Sequence, residues 1–420
     1  MRGDWAGRMR GHVGCLLTVA IVLAVAADAV GQVPNRPGSS DALPADVNPE
    51  TRNRLPPVRR EQLDERGRRA FDAALRQGET TPRGAAAIRL HRSGVDVRWD
   101  SPLGRRLTEL AILVGAREHD QPYEWSLHEM EALAVGLEPA VIGVIKHRRP
   151  LDGLGERETA IVQMGREIFR DKRLTAATYA RALAAFGQTN LVDLVDLMAN
   201  YTGTAANLTA ANQWMPPQMI QFLPLPFTMP EDIDPQSRSR IPMPPPRVPG
   251  TAATGRAAGG EGGSAGLYRR TLAPAPTGPG SMGRFAAGLA SLEASQGRAI
   301  MTLAALVTAR EHDQQYDWTM TEVRALGDGL DPRVIDVVRH RRPLDGLGEK
   351  EATLIQFGRE LFGQHYVTAP TYARALKAFG LRDLSDLVTG VMAQHARDAT
   401  LLAAFDQQLP AGQQALLPAH

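Results

Sequence analysis

The 420-residue chain contains a single cysteine, Cys15. It opens the apolar stretch near the N-terminus instead of following it, which is the wrong place for a lipid-bearing cysteine. With that stretch removed, no thiol remains. Disulfides, thiolate nucleophiles and cysteine metal ligands are therefore excluded from the mature protein. Aromatic residues make up only 5% of the chain, too few for a platform on which bases stack. Lys and Arg (48) nearly balance Asp and Glu (46), for a formal net charge of +2. That balance makes no case for nucleic acid or for a strongly acidic partner. No segment alternates apolar and polar residues as a half-buried strand does. The apolar run at residues 15–30 falls short of the roughly 20 residues that span a bilayer comfortably.

What is present begins with a targeting signature. Arg2, Arg8 and Arg10 precede the apolar run, and Ala27-Asp28-Ala29 and Ala29-Val30-Gly31 suit a small-residue cleavage site. Residues 1–31 therefore read as a signal peptide. No Arg-Arg pair precedes the run, which favours the general secretory route. The expectation is a periplasmic or secreted protein with no stable membrane anchor after cleavage.

The strongest internal signal is a repeat. Ala116-Arg117-Glu118-His119-Asp120-Gln121 returns as Ala309-Arg310-Glu311-His312-Asp313-Gln314, and the ten residues from His147 return from His340. Thr178-Tyr179-Ala180-Arg181 returns as Thr371-Tyr372-Ala373-Arg374. The offset is constant, and about half of the aligned positions are identical. Two copies at so long a period indicate duplicated domains, not a solenoid. The reading is residues 54–215 for the first copy and 281–405 for the second. Residues 32–53 read as disordered, 406–420 as a tail, and 216–280 as a Pro/Gly-rich linker, disordered or draped over the surface. The second copy lacks a counterpart of residues 55–75.

Within each copy the signals are helical. Leu107, Leu110, Ala111 and Val114 recur at helical spacing and predict one buried stripe, with Glu109 on the opposite face. Pro122 suits a first turn and Gly136 a stop. Pro139 and Asp331-Pro332 open further helices, Thr175 can cap a helix that Gly187 ends, and a long helix follows from Leu191. The fold class is all-α.

The run Leu107-Thr108-Glu109-Leu110-Ala111, followed by Tyr123-Glu124-Trp125-Ser126-Leu127-His128-Glu129, resembles the carboxymuconolactone decarboxylase family, which is related to the D component of alkyl hydroperoxide reductase. The segment from Leu55-Pro56-Pro57-Val58 to Ala70-Phe71 resembles that family's opening helix. The resemblance implies two tandem all-α domains of this type, the second degenerate, and assembly as a homo-oligomer or an intramolecular pseudo-dimer. In the hydroperoxidase branch two cysteines act with a His and an upstream Glu. On this chain the His falls on His128 and the Glu on Glu109, while the cysteine positions fall on Gln121 and Glu124. Dithiol peroxidase activity is therefore not expected. The decarboxylase branch implies thiol-independent proton transfer on a small lactone or carboxylic acid.

The residues themselves allow such chemistry. Glu124, His128 and Glu131 stand at i, i+4 and i+7, on one helix face. A carboxylate beside an imidazole fixes its tautomer and tunes it near neutral pH, the minimum for general acid–base catalysis. His128 is the candidate base, Glu109 its partner, and Glu124 a second acid or a structural pair. In the second copy these positions hold Thr302, Asp317 and Thr321, and Glu131 becomes Arg324. The scaffold persists without its acid–base residues, so the alternative is a non-catalytic binding or assembly module. His119 and His312, retained in both copies, fit capping or packing. His147 and His340 fit helix C-termini, Trp125 and Trp318 fit core, and the retained Arg148, Arg149, Arg341 and Arg342 fit structure. Glu109, Glu124, His128 and His119 offer metal-ligand atoms without a tight ligand motif, and no metal or cofactor is expected.

Overall fold

The computed structural model describes residues 43–75, 80–225, 230–242 and 281–418. The signal-peptide segment and most of the Pro/Gly-rich stretch lie outside the described residues. What is described is all-helical, with one isolated β-bridge between Asp234 and Ser239. Among the described residues no helix is long and apolar enough to cross a membrane.

The first copy opens with α1 (Glu65–Ala74), α2 (Gly84–Arg89) and the single turn α3 (Val97–Asp100). Then come α4 (Arg105–Glu118), α5 (Pro122–Ala134), α6 (Pro139–Lys146), α7 (Glu156–Arg166), α8 (Ala176–Phe186) and α9 (Gln188–Ala210). The second copy runs α10 (Ser281–Gln296), α11 (Arg298–Glu311), α12 (Gln315–Gly327), α13 (Pro332–Arg339), α14 (Glu349–Gly358), α15 (Ala369–Asp386) and α16 (Ala393–Ala404). The helix signals in the sequence act as anticipated. Pro122, Pro139 and Pro332 occupy first turns, where the missing N–H leaves nothing unsatisfied. The Thr175 side chain accepts from the Thr178 N–H, and Asp331 accepts from the Arg333 N–H. Gly136 and Gly187 take φ of 83° and 72°, a positive-φ conformation that glycine adopts without strain.

Helix α4 departs from the expected single stripe. Every residue from Leu107 to Glu118 is buried, so α4 is a central helix with no solvent face, and Glu109 lies in the interior. The unbroken apolar run from Leu110 to Ala116 is the signature of burial all round. Helix α11 holds the same place in the second copy. Each copy has its own cluster of buried residues, and each cluster borrows from the other. Leu401, Leu402 and Phe405 join the first, while Ala206 and Ala210 join the second. The seam is the packing of α9 against α16.

The copies are also bound by a feature that composition concealed. Residues 43–53 read as disordered, and residues 216–242 read as linker. Both carry one pattern: Asp46-x-x-Pro49-x-x-Arg52-x-Arg54-x-Pro56 and Asp232-x-x-Pro235-x-x-Arg238-x-Arg240-x-Pro242. These straps dock in matching ways. Arg54 donates to Asp46 (2.7 Å) and to the Ala404 carbonyl (3.0 Å), and lies over the Tyr179 ring. Arg240 donates to Asp232 (2.7 Å) and to the Val367 carbonyl (2.8 Å), and lies over Tyr372. The Arg54 N–H donates to the Phe405 carbonyl, and the Arg240 N–H to that of Ala211. Gln407 and Gln213, just past α16 and α9, donate to the strap carbonyls of Arg52 and Arg238. Each strap thus joins the end of one copy's last helix to a tyrosine of the other copy. Polar, Pro-rich residues order here because buried Gln side chains satisfy their carbonyls and their own Arg side chains find carbonyl and carboxylate partners. The residues read as a tail behave likewise, with Asp406, Gln407 and Leu417 buried.

The constant offset also breaks late in the repeat. A π turn, Leu387–Met392, precedes α16 and inserts one residue relative to α9. Met392 therefore packs near Gly358 as Met198 packs near Gly165, and Asp406 matches Asn212 in its positive φ. By the same shift, His395 occupies the place of Tyr201.

Candidate functional site

Helix α4 carries Glu109 and helix α5 carries His128. A tight junction connects the helices: Asp120 takes φ 49°, and the Gln121 side chain accepts from the Tyr123 N–H at 2.9 Å. This places one turn of α5 beside the first half of α4. His128 Nδ1 lies 2.7 Å from Glu109 Oε2. Because the partner is a carboxylate, Nδ1 carries the hydrogen and Nε2 carries the lone pair. His128 is 2% exposed and Glu109 0%. Burial holds the His128 imidazole below its ordinary pKa, against the pull of the Glu109 charge. Glu109 is pushed down to about 2: burial alone would raise it, but its bond to His128 and the nearby Arg98 and Arg105 outweigh that. The pair is best described as an ionised Glu109 holding a neutral imidazole, since two guanidinium groups already supply the positive charge.

Those guanidinium groups belong to Arg98, on α3, and Arg105, at the start of α4. Arg105 donates to Glu109 and, at 2.9 Å, to Glu131, and Arg98 donates to Glu131. Both stack on Trp99, with Arg105 3.9 Å from the ring centroid. Trp99 itself is 53% exposed, so the α3 turn is a thin cover between the site and solvent. The Tyr201 ring meets His128 edge-on, at 5.0 Å between centroids.

Glu124 does not take the structural-pair role. It is not paired. It is 2% exposed, and neither carboxyl oxygen has a hydrogen-bond partner. Burial pushes its pKa well above the ordinary 4.5, which favours its protonated form. The site thus juxtaposes an ionised carboxylate, a neutral imidazole and a buried carboxyl whose surroundings favour its protonated form.

In the second copy Thr302, Asp317, Thr321 and Arg324 stand where expected, but the copy is not without an imidazole–carboxylate pair. His395 Nδ1 lies 2.7 Å from Asp317 Oδ2, and Thr321 donates to Asp317 at 3.4 Å. Burial opposes both charges, yet mutual attraction prevails, raising His395 and lowering Asp317. Sequence comparison missed His395 because at constant offset it aligns with Thr202; the π turn moves it onto the Tyr201 position.

Other retained residues hold the structure together. Trp125 and Trp318 are fully buried and donate from Nε1 to Glu129 and Glu322. Arg148 donates to Asp120 and to the Arg117 carbonyl, and Arg341 to Glu311 and the Arg310 carbonyl. His147 and His340 cap α6 and α13 through their backbone N–H groups.

Among the described residues, one group of potential cation ligands has its atoms within 4.8 Å of one another: Glu109, His128 and Glu131. It includes neither Glu124 nor His119. Arg98 and Arg105 already neutralise both carboxylates, so a cation would have to displace them.

Comparison with family models, curated proteins and solved structures finds no match for the chain.

Proposed function

We propose that the first copy is a thiol-independent acid–base site of the carboxymuconolactone decarboxylase type in an exported protein, acting on a small lactone or carboxylic acid. The observation that carries this is the 2.7 Å contact of Glu109 with His128 beside the buried carboxyl of Glu124. Environments that drive neighbouring titratable groups apart are how one site supplies both an acid and a base. Glu109 orients the ring, the bare Nε2 of His128 takes a proton from carbon or oxygen, and Glu124 has a proton to give. Arg98 and Arg105 are the cations nearest the reacting groups, and they suit an anionic substrate. Entry requires the α3 turn to move, because the site is closed to solvent.

The test is hydrogen–deuterium exchange and carbon dioxide release from a panel of small lactones and carboxylic acids in D2O, followed by NMR. His128→Gln should lower the rate about 100-fold or more with an unchanged melting temperature. A second reading, a non-catalytic assembly or binding module, is favoured by the sealing of the site and by the reciprocal straps. Exchange that is absent, or indifferent to His128→Gln, would establish that second reading instead.

A further inference from the structure

A cavity lies away from Glu109 and His128. It lies on the seam between the copies and opens to solvent at its mouth. Its walls are built from equivalent residues of the two copies: His119 with His312, Phe169 with Phe362, and Lys172 with His365. The Nδ1 of His119 lies 2.7 Å from the Gly115 carbonyl, and that of His312 2.8 Å from the Thr308 carbonyl. A carbonyl can only accept, so both Nδ1 atoms carry hydrogen and both Nε2 atoms are bare acceptors. Phe169 and Phe362 each pack edge-on against their histidine, at 4.8 Å, which fixes the two rings. Burial keeps both imidazoles neutral, with pKa values of about 3 for His119 and about 4 for His312. Lys172 spends one ammonium hydrogen on the Phe169 carbonyl at 2.6 Å and retains two.

Glu118 also lines the cavity but is held by two hydrogen bonds from Arg170, and the Thr202, Thr400 and Thr209 hydroxyls are engaged with one another or with Gln121; the groups left over select a ligand. Two bare imidazole nitrogens repel a simple anion and accept hydroxyl hydrogens, whereas an ammonium group wants an acceptor oxygen. We propose that the seam cavity is a binding site for a small hydroxycarboxylic acid, its carboxylate on Lys172 and its hydroxyl on the Nε2 of His119 or His312. The apolar walls, Phe169, Phe362 and Leu361 among them, accommodate its short carbon chain. Neither the Glu109–His128 pair nor any reaction there is required, so this site stands or falls independently of the function proposed above.

Isothermal titration of the full chain with lactate and with propionate separates the two recognition elements. Lactate should bind about 10-fold or more tightly than propionate, because only the hydroxyl satisfies a waiting acceptor. Lys172→Met should weaken both acids alike. His119→Phe/His312→Phe should erase the difference between them. In case the double variant does not fold, 15N-histidine spectra of the unaltered protein give the same answer: lactate, and not propionate, shifts the Nε2 resonance of His119 or His312. Equal affinity for the two acids, no binding of either, or binding indifferent to Lys172→Met would overturn the proposal.

Discussion

Replacing Glu124 with Gln should change how stability depends on pH more than stability itself. The wild-type carboxyl is buried without a partner and keeps its proton in the folded state. The unfolded chain releases that proton above the ordinary carboxyl value of 4.5. Between that value and the raised folded pKa, the folded state therefore binds one more proton than the unfolded state. Folding stability then falls by about 1.4 kcal/mol for each pH unit gained. Gln has the same shape, is neutral at every pH and removes this slope. Comparing pH 5.5 with 6.5, the variant should gain about 1.4 kcal/mol on the wild type, or roughly 3–5 °C in Tm for a cooperative unit of about 200 residues. The gain is smaller if both copies melt together. Differential scanning calorimetry at the two pH values, with both proteins in the same buffers, measures it. The unpaired amide of Gln adds a penalty, but one that does not vary with pH. Parallel Tm curves for the two proteins would show that Glu124 is ionised in the folded state and would remove the acid from the proposed site.

The His395–Asp317 pair shifts stability in the same direction, at higher pH. A raised imidazole pKa stabilises fully below the unfolded value of 6.5 and is lost as pH rises through the folded value, so His395→Gln should lower Tm more at pH 6 than at pH 9. Gly165→Ala and Gly358→Ala should each cost about 1–3 kcal/mol in chemical denaturation, because the added methyl would meet Val114 or Val307 at 2.2 Å. Arg54→Met and Arg240→Met should destabilise by similar amounts, about 2–4 kcal/mol, since the straps make matching contacts. A large effect from one alone would refute their equivalence.

The sequence makes legible what local chemistry determines. Caps at Thr175 and Asp331, prolines in first turns and glycines past helix ends place most helices to within a residue or two. Glu109 and His128 were identifiable as a pair, and they meet. What stayed hidden depended on distant partners. The straps were judged by their own composition, but their order comes from Gln213 at the end of α9 and from Gln407, Tyr179 and Tyr372, far away in the chain. The offset between straps also differs from that between the helical repeats, so a constant-offset search passes over them. His395 was concealed by one inserted residue, which changes register without leaving a compositional trace. The seam cavity was out of reach because its walls come from both copies, and no single segment displays its donor and acceptor balance. His119 and His312 were read as packing residues, which is half of what their rings do: Nδ1 serves the helix, and Nε2 is left over.

The crossed straps bear on what the peptide link between the copies is for. One strap fastens the end of the second copy, and the other, running on from α9, clasps Tyr372 and Val367, so the halves hold one another by their own contacts, whatever the course of residues 243–280. Severing the chain within that stretch would leave two fragments bound in a noncovalent complex. Conversely, the second half made alone would lack the strap that closes its last helix, and either half would lack the neighbour that completes its core. The chain behaves as a split protein that happens to be joined, and co-expressed fragments should reassemble where separate ones do not.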